Sequence, residues 1–114
     1  MERSALPALV AILDAIAGIE TATKDKSLEE FSADWLLRHG VQRGIEIISE
    51  AVRRLPSALQ ESQPDIPWGQ IAGIGNVLRH EYHRVSDTIV WNVVQAYLPA
   101  LKAAVTAIQA TVRE

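Results

Sequence analysis

The residues best suited to chemistry lie close together, between positions 76 and 84. His80 and His83 are three residues apart, and Arg79 and Arg84 flank them. Imidazole changes its protonation near neutral pH and can transfer protons, whereas the planar guanidinium of arginine binds phosphate oxygens. The two histidines could therefore act as acid and base, contact RNA, ligate a metal ion, or lie on a solvated surface without any function.

The helical period arranges these residues into a stripe. At about 100° per residue, the apolar residues that follow Trp68 share one broad face: Ile71, Ile74, Val77, Leu78, Tyr82 and Val85. Asn76, His80 and His83 fall on the opposite side of the same predicted helix. They are predicted to be exposed, with Tyr82 at the edge of the apolar face.

Two glycines interrupt this helical segment. Gly73 and Gly75 each cost about 1 kcal/mol in a helix interior relative to alanine, which predicts the close approach of another backbone. Gly73 borders the stripe that carries His80, so a tight dimer contact is predicted there.

A metal site is the weakest of the chemical interpretations. Neither an acidic pair nor a nearby third histidine completes a ligand set with His80 and His83, because His39 is distant in sequence. No metal ion or other cofactor is predicted.

Aromatic residues are too scarce for a base-stacking surface. The chain has only three tryptophans, two tyrosines and one phenylalanine, and such surfaces use several aromatic side chains. Trp35, Trp68 and Trp91 are instead predicted to anchor the core or an interface.

The elements that must position the stripe are all predicted to be helices. Apolar residues recur at intervals of three and four from Leu6, with Pro7 in the first turn, where its missing N–H is harmless. Ser27 and Glu30 form a capping-box pattern that predicts a second helical start. An apolar stripe then continues from Leu37 to Pro56.

The rest of the chain completes a helical bundle. Residues 56–68 hold three of the five prolines and are predicted to lack regular structure, with the next helix starting at Trp68. Asp87 is predicted to cap a last helix, which Pro99 should kink. Strand-type alternation is absent, so the sequence predicts an all-α domain over residues 1–114, an up-and-down bundle of four main helices.

Composition limits the classes of function. The 114 residues contain 48% hydrophobic and 22% charged residues and no cysteine, which excludes a disulfide framework and a thiolate nucleophile. The net charge of −3 gives no general attraction for nucleic acid, so any binding must use a local patch. No uninterrupted apolar run approaches the length of a membrane span, and a cytoplasmic location is expected.

Several segments together resemble the HepT-like branch of the HEPN superfamily. The resemblance covers about residues 6–108 and depends on the order of four stretches: LEEFSADW, GIEIISEAVRRLP, PDIPWGQIAGIGNVLRHEY and IVWNVVQAYLPALKAAV. It implies a helical bundle that forms a homodimer with a shared cleft. It also implies a metal-independent ribonuclease toxin, paired with a minimal nucleotidyltransferase antitoxin.

The resemblance assigns roles to individual residues. The family motif is Arg-x4-His followed by x-Tyr, with a polar residue after the arginine. His80 matches the catalytic histidine, Asn76 the polar residue and Tyr82 the tyrosine that the partner modifies with AMP in some members. Position 75, where the motif has arginine, is glycine.

The missing arginine leaves two functions open. In metal-free RNA cleavage a cation stabilises charge on the phosphoryl oxygens. Arg79, Arg84 or a residue of the second subunit could replace it, with His83 as a further RNA contact. Alternatively, the chain is a catalytically degenerate subunit that binds a nucleotidyltransferase or a nucleotide in its dimer cleft. A structural dimeriser without a ligand is a third, weaker interpretation.

Overall fold

The structure is a computed structural model that describes residues 5–81 and 86–112, without the side chain of Glu81. Within these ranges, seven α-helices and one π-helical segment follow one another: α1 (Leu6–Thr23), α2 (Leu28–Ala33), α3 (Trp35–Arg53), α4 (Ser57–Glu61), α5 (Trp68–Glu81), α6 (Asp87–Asn92), the π segment (Val93–Tyr97) and α7 (Leu98–Thr111). The described ranges contain no strand. The prediction of an all-α fold is therefore confirmed.

Helix α3 occupies the centre of the packing. It contacts α1 on one side and α5 on the other, and α1 also packs against α7. The short α2 packs against α6, where the Phe31 and Trp91 rings lie 5.1 Å apart between centroids. Phe31 is fully buried. The core thus extends from α5 through α3 and α1 to α7, and the position of α5 depends on α3.

Local caps determine where the first helices after α1 begin. The Ser27 hydroxyl accepts from the Glu30 N–H at 3.1 Å, and the Glu30 carboxylate accepts from the Ser27 N–H at 2.8 Å. This reciprocal pair confirms the predicted capping box. Asp34 caps α3 by accepting from the Leu37 N–H at 2.9 Å.

The prediction for the start of the last helix was wrong by one residue. Ser86 is the N-cap of α6, and its hydroxyl accepts from the Ile89 N–H at 3.2 Å. Asp87 is the first residue of the helix, where its negative charge interacts favourably with the unpaired backbone N–H groups of the first turn.

The interruption predicted at Pro99 takes the form of a π-helical segment. The Leu98 N–H donates to the Val93 carbonyl, five residues back. Pro99 then lies in the first turn of α7, where its missing N–H costs little. Widening of the preceding turn accommodates the proline within a helical stretch that extends from Asp87 to Thr111.

The prediction that residues 56–68 lack regular structure was wrong for one turn. Pro56 is the N-cap of α4, and no proline occurs from Ser57 to Glu61, so this turn can form. The predicted start of α5 at Trp68 is confirmed.

Helix α5 buries less of its apolar face than its sequence predicts. Ile71 and Leu78 are buried, and Ile74 is half-buried. Val77, which the helical period placed on this apolar face and so in the core, is 40% exposed, and that prediction was wrong. It lies about 100° from Leu78, away from the surface that faces α3.

Helix α1 is strongly apolar. Over its 18 residues the mean hydropathy is 1.5, which by length and composition would suffice to cross a membrane. A core helix or a signal sequence passes the same test, and one such helix is weak evidence. Here its buried residues, including Leu9, Ile12 and Ile16, belong to the core.

Candidate functional site

Helix α5 carries the candidate site and is held by polar contacts along its first half. The Trp68 indole N–H donates to the carbonyls of Gln60 and Gln63, at 2.9 and 3.0 Å. The buried Ser49 hydroxyl donates to the Ile71 carbonyl at 2.6 Å. Arg53 Nη2 donates to the Ala72 carbonyl at 3.1 Å. These contacts join α5 to α3 and to the α4 region.

Three of the predicted site residues share an exposed face of α5. Asn76, Arg79 and His80 are all exposed. Helical geometry places Asn76 between the other two, about 60° round the helix from Arg79 and about 40° from His80. A phosphate group in front of Asn76 could reach both neighbouring side chains.

Asn76 supports Arg79 directly. Its Oδ1 accepts a hydrogen bond from Arg79 Nη2 at 3.0 Å. From the sequence, Asn76 was predicted to orient His80 or a phosphate, and its contact with Arg79 was not predicted. Because one guanidinium nitrogen is held on its own helix, Arg79 loses rotamer freedom before any ligand binds.

Gly75 lies at the closest approach of α5 to α3. A Cβ built at position 75 would lie 2.6 Å from Ser49 Oγ and 3.4 Å from the Glu46 Cα, and would also overlap Ser49 Cβ. The prediction of a close approach is confirmed here. At Gly73 a built Cβ would meet no neighbouring element of the chain within 4 Å, so the dimer contact predicted there stays a prediction.

A groove of about 520 Å³ runs beside Arg79 between α3 and α5. Its walls come from both helices: Trp35, His39, Gln42, Arg43 and Glu46 of α3, with Leu78 and Arg79 of α5. Arg43 and Glu46, both on the α3 wall, form an ion pair at 3.2 Å. The groove therefore combines an aromatic ring, a packed apolar residue and charged groups.

The exposed position of Trp35 in this groove was not predicted from the sequence. Trp35 is 63% exposed, and its ring lies 4.1 Å from the His39 ring at 31°. Trp35 is therefore not a core residue, and the prediction that it anchors an interface stays a prediction. Trp68 is buried and Trp91 packs on Phe31, as expected of core positions. A signal was present, because Trp35 falls outside the apolar stripe that begins at Leu37.

Comparison with known families decides the classification. A family model described as "HepT-like: Ribonuclease HepT-like" matches residues 12–108. The chain belongs to the HepT-like family. The resemblance inferred from the four sequence stretches is confirmed.

Individual relatives agree with this assignment. The chain is 34% identical over 102 residues to a protein of Thermococcus cleftensis named "Probable ribonuclease HepT", covering 90% of this chain and 93% of the relative. It is 32% identical over 91 residues to a protein of Methanocaldococcus jannaschii that is named as a putative RNase, covering 80% and 84%.

A third relative is a longer protein. The chain is 38% identical over 91 residues to a Methanocaldococcus jannaschii protein named as a gamma-glutamylcyclotransferase and putative RNase. The match covers 80% of this chain and 41% of that relative, so the chain spans less than half of it. No solved structure matches the chain significantly.

The remaining predicted site residues of this HepT-like chain lie outside the part of the chain that the structure describes. Tyr82, His83 and Arg84 fall outside residues 5–81 and 86–112. Within those ranges no group of three or more His, Asp and Glu side chains is arranged to hold a metal ion. The described part of the site therefore offers an imidazole, a guanidinium and a side-chain amide on one helix face.

Proposed function

We propose that this HepT-like chain is a metal-independent endoribonuclease. The observation that carries the proposal is the exposed face of α5, on which His80, Asn76 and Arg79 are neighbours in a member of a ribonuclease family. RNA supplies its own nucleophile, so the protein needs only to move protons and stabilise charge. The described residues can do both.

The reaction proceeds by attack of the ribose 2′-OH on the adjacent phosphorus. The O2′–P bond forms as the P–O5′ bond breaks, which leaves a 2′,3′-cyclic phosphate and a free 5′-OH. The 2′-OH loses a proton and the leaving 5′ oxygen gains one, and His80 performs one of these transfers. Arg79, held by Asn76, donates to the phosphoryl oxygens, where negative charge develops.

The proposal also includes an oligomeric state and a partner protein. The chain forms an up-and-down helical bundle that dimerises, and the second subunit contributes to the same cleft. It acts in the cytoplasm as the toxin of a pair whose antitoxin is a minimal nucleotidyltransferase, which modifies Tyr82 with AMP. The family resemblance supports these features, and the neighbouring gene is a direct test of the pairing.

The central experiment compares the wild-type protein with His80→Ala on RNA in the presence of EDTA. Cleavage by the wild type and its loss in the variant are expected. Lys102→Ala is the control, because Lys102 is an exposed cation on α7 that pairs with Glu20 at 3.1 Å. Equal inertness of wild type and His80→Ala, with both proteins folded by circular dichroism, would contradict the ribonuclease proposal.

The packing of Gly75 favours a second candidate, a degenerate subunit without catalysis. The motif arginine is absent from position 75, and Ser49 fills the space that a side chain there would need. Such a subunit would bind a nucleotidyltransferase or a nucleotide in its dimer cleft. This candidate would be favoured if the protein does not cleave RNA but binds ATP, or co-purifies with a co-expressed nucleotidyltransferase.

A further inference from the structure

We infer that the groove between α3 and α5 is a nucleotide subsite, in which Trp35 stacks on an RNA base beside the phosphate that Arg79 contacts. The inference rests on the proposed function, since it specifies how the RNA substrate is held. It depends on the geometry of Trp35, on the chemistry of the groove and on its position next to the exposed face of α5.

The Trp35 ring forms a rigid surface on which a base can stack. Trp35 follows directly on the N-cap residue Asp34, so its backbone is fixed in the first turn of α3. The His39 ring packs against the indole one turn later, and His39 Nδ1 lies 2.8 Å from the Trp35 carbonyl oxygen. An exposed aromatic ring that is already oriented loses little entropy when a base stacks on it.

The groove has the chemistry of a nucleotide site. Its volume of about 520 Å³ lies within the usual range for small-molecule pockets. Arg79 contributes a cation for the phosphate from the opposite wall. Glu46 is the opposing charge in the groove, and Arg43 neutralises it at 3.2 Å. Base stacking on aromatic rings is tolerant of sequence, so this subsite would add affinity without strict base selection.

Position distinguishes RNA from a protein partner as the occupant. The groove opens beside Arg79, and His80 is the next residue of the same helix. A base in the groove therefore places its own phosphate at the α5 face. Leu36, the residue after Trp35, is 74% exposed but lines a separate apolar groove between α1 and α3. With two arginines and one glutamate, the described lining of the groove carries a net positive charge, which suits an occupant that bears a phosphate.

The test uses a fluorescein-labelled 2′-O-methyl RNA of about eight nucleotides, which has no free 2′-OH and cannot be cleaved by the proposed reaction. Binding is followed by anisotropy for the wild type, Trp35→Ala, Trp35→Phe and the control Leu36→Ala. Trp35→Ala should raise the Kd by roughly 5- to 150-fold, the range of base–aromatic stacking. Trp35→Phe should retain most of the affinity, and Leu36→Ala should match the wild type.

Intrinsic fluorescence provides a second readout. Among the three tryptophans only Trp35 is largely exposed, so the probe should quench part of the wild-type emission and much less of the Trp35→Phe emission. An unchanged Kd in Trp35→Ala, or absence of probe binding by the wild type, would overturn the inference. Light scattering gives a third outcome. If Trp35→Ala converts a dimer to a monomer, Trp35 lies in a contact between copies, and the inference is also overturned.

Failure of the inference and failure of the proposed function give different results. If the probe binds in a way that depends on Trp35 but ordinary RNA is not cleaved, the ribonuclease proposal is wrong and the subsite inference stands. If Trp35→Ala cleaves RNA with the same kcat/KM as the wild type, the ribonuclease proposal stands and the subsite inference is wrong.

Discussion

Ser49 occupies the space that a side chain at position 75 would need. Its Oγ lies 2.6 Å from the position of a Cβ built on Gly75, while the same hydroxyl donates to the Ile71 carbonyl at 2.6 Å. Ser49 is 2% exposed, so it cannot rotate into solvent to make room. The glycine is therefore required by the contact between α3 and α5, and the site has been built without an arginine at this position.

This packing predicts opposite effects for the same substitution at two glycines. Gly75→Ala should lower the free energy of unfolding by about 1–3 kcal/mol, because overpacking shifts α5 or Ser49. Gly73→Ala should raise it by up to about 1 kcal/mol, since alanine favours helix and meets no atom within 4 Å. Urea denaturation monitored by circular dichroism measures both. A Gly75→Ala variant as stable as the wild type would contradict the packing argument.

A double variant tests whether the space can be restored. Ser49→Gly should relieve the overlap and recover part of the stability lost in Gly75→Ala. Under the proposed function, Ser49→Gly/Gly75→Arg should cleave RNA faster than Ser49→Gly alone, because a guanidinium then stands one turn before Arg79. Equal rates would indicate that Arg79 already supplies the charge that the reaction needs.

The sequence predicted those features of the fold that depend on neighbouring residues. The capping box at Ser27 and the start of α5 at Trp68 are confirmed because caps and prolines act within one turn. The exposure of Val77 and Trp35 was not predicted, since burial depends on which helices lie opposite. Periodicity shows which residues share a face, and only the packing shows how much of that face is covered.

The candidate site was predictable in its residue types and less so in its contacts. Asn76, Arg79 and His80 are exposed, as the predicted stripe required for Asn76 and His80. The hydrogen bond from Arg79 to Asn76 was not predicted, because several rotamers are open to a long side chain on a helix. The groove beside Arg79 requires the crossing of α3 and α5, which the sequence does not specify.

Asp34 should stabilise the start of α3 and thereby the position of Trp35. Asp34→Ala removes the acceptor for the Leu37 N–H, which is 2.9 Å away. It should cost about 1 kcal/mol, or a decrease in Tm of roughly 4 °C. Asp34→Asn keeps a side-chain oxygen and is the matched control. Equal Tm values for the alanine and asparagine variants would show that the cap contributes nothing measurable.

Phe31 should be the main residue through which α2 stabilises the fold. It is fully buried and packs on Trp91, so Phe31→Ala should cost about 3–5 kcal/mol. Val10→Ala, at a position that is 53% exposed on α1, should change stability by less than about 0.5 kcal/mol. Equilibrium denaturation of the two variants separates them. A small loss for Phe31→Ala would mean that α2 contributes little to the core.

Asn76 should act on catalysis through Arg79. Under the proposed ribonuclease activity, Arg79→Ala should lower kcat by about 10²- to 10³-fold, the loss typical of one donor to the developing charge. Asn76→Ala should cause a smaller loss, since the guanidinium remains but is no longer held at 3.0 Å. In the double variant the two losses should not multiply, because Asn76 has no Arg79 left to orient. Losses that do multiply would show that Asn76 acts independently, on His80 or on the phosphate, as the family motif implies.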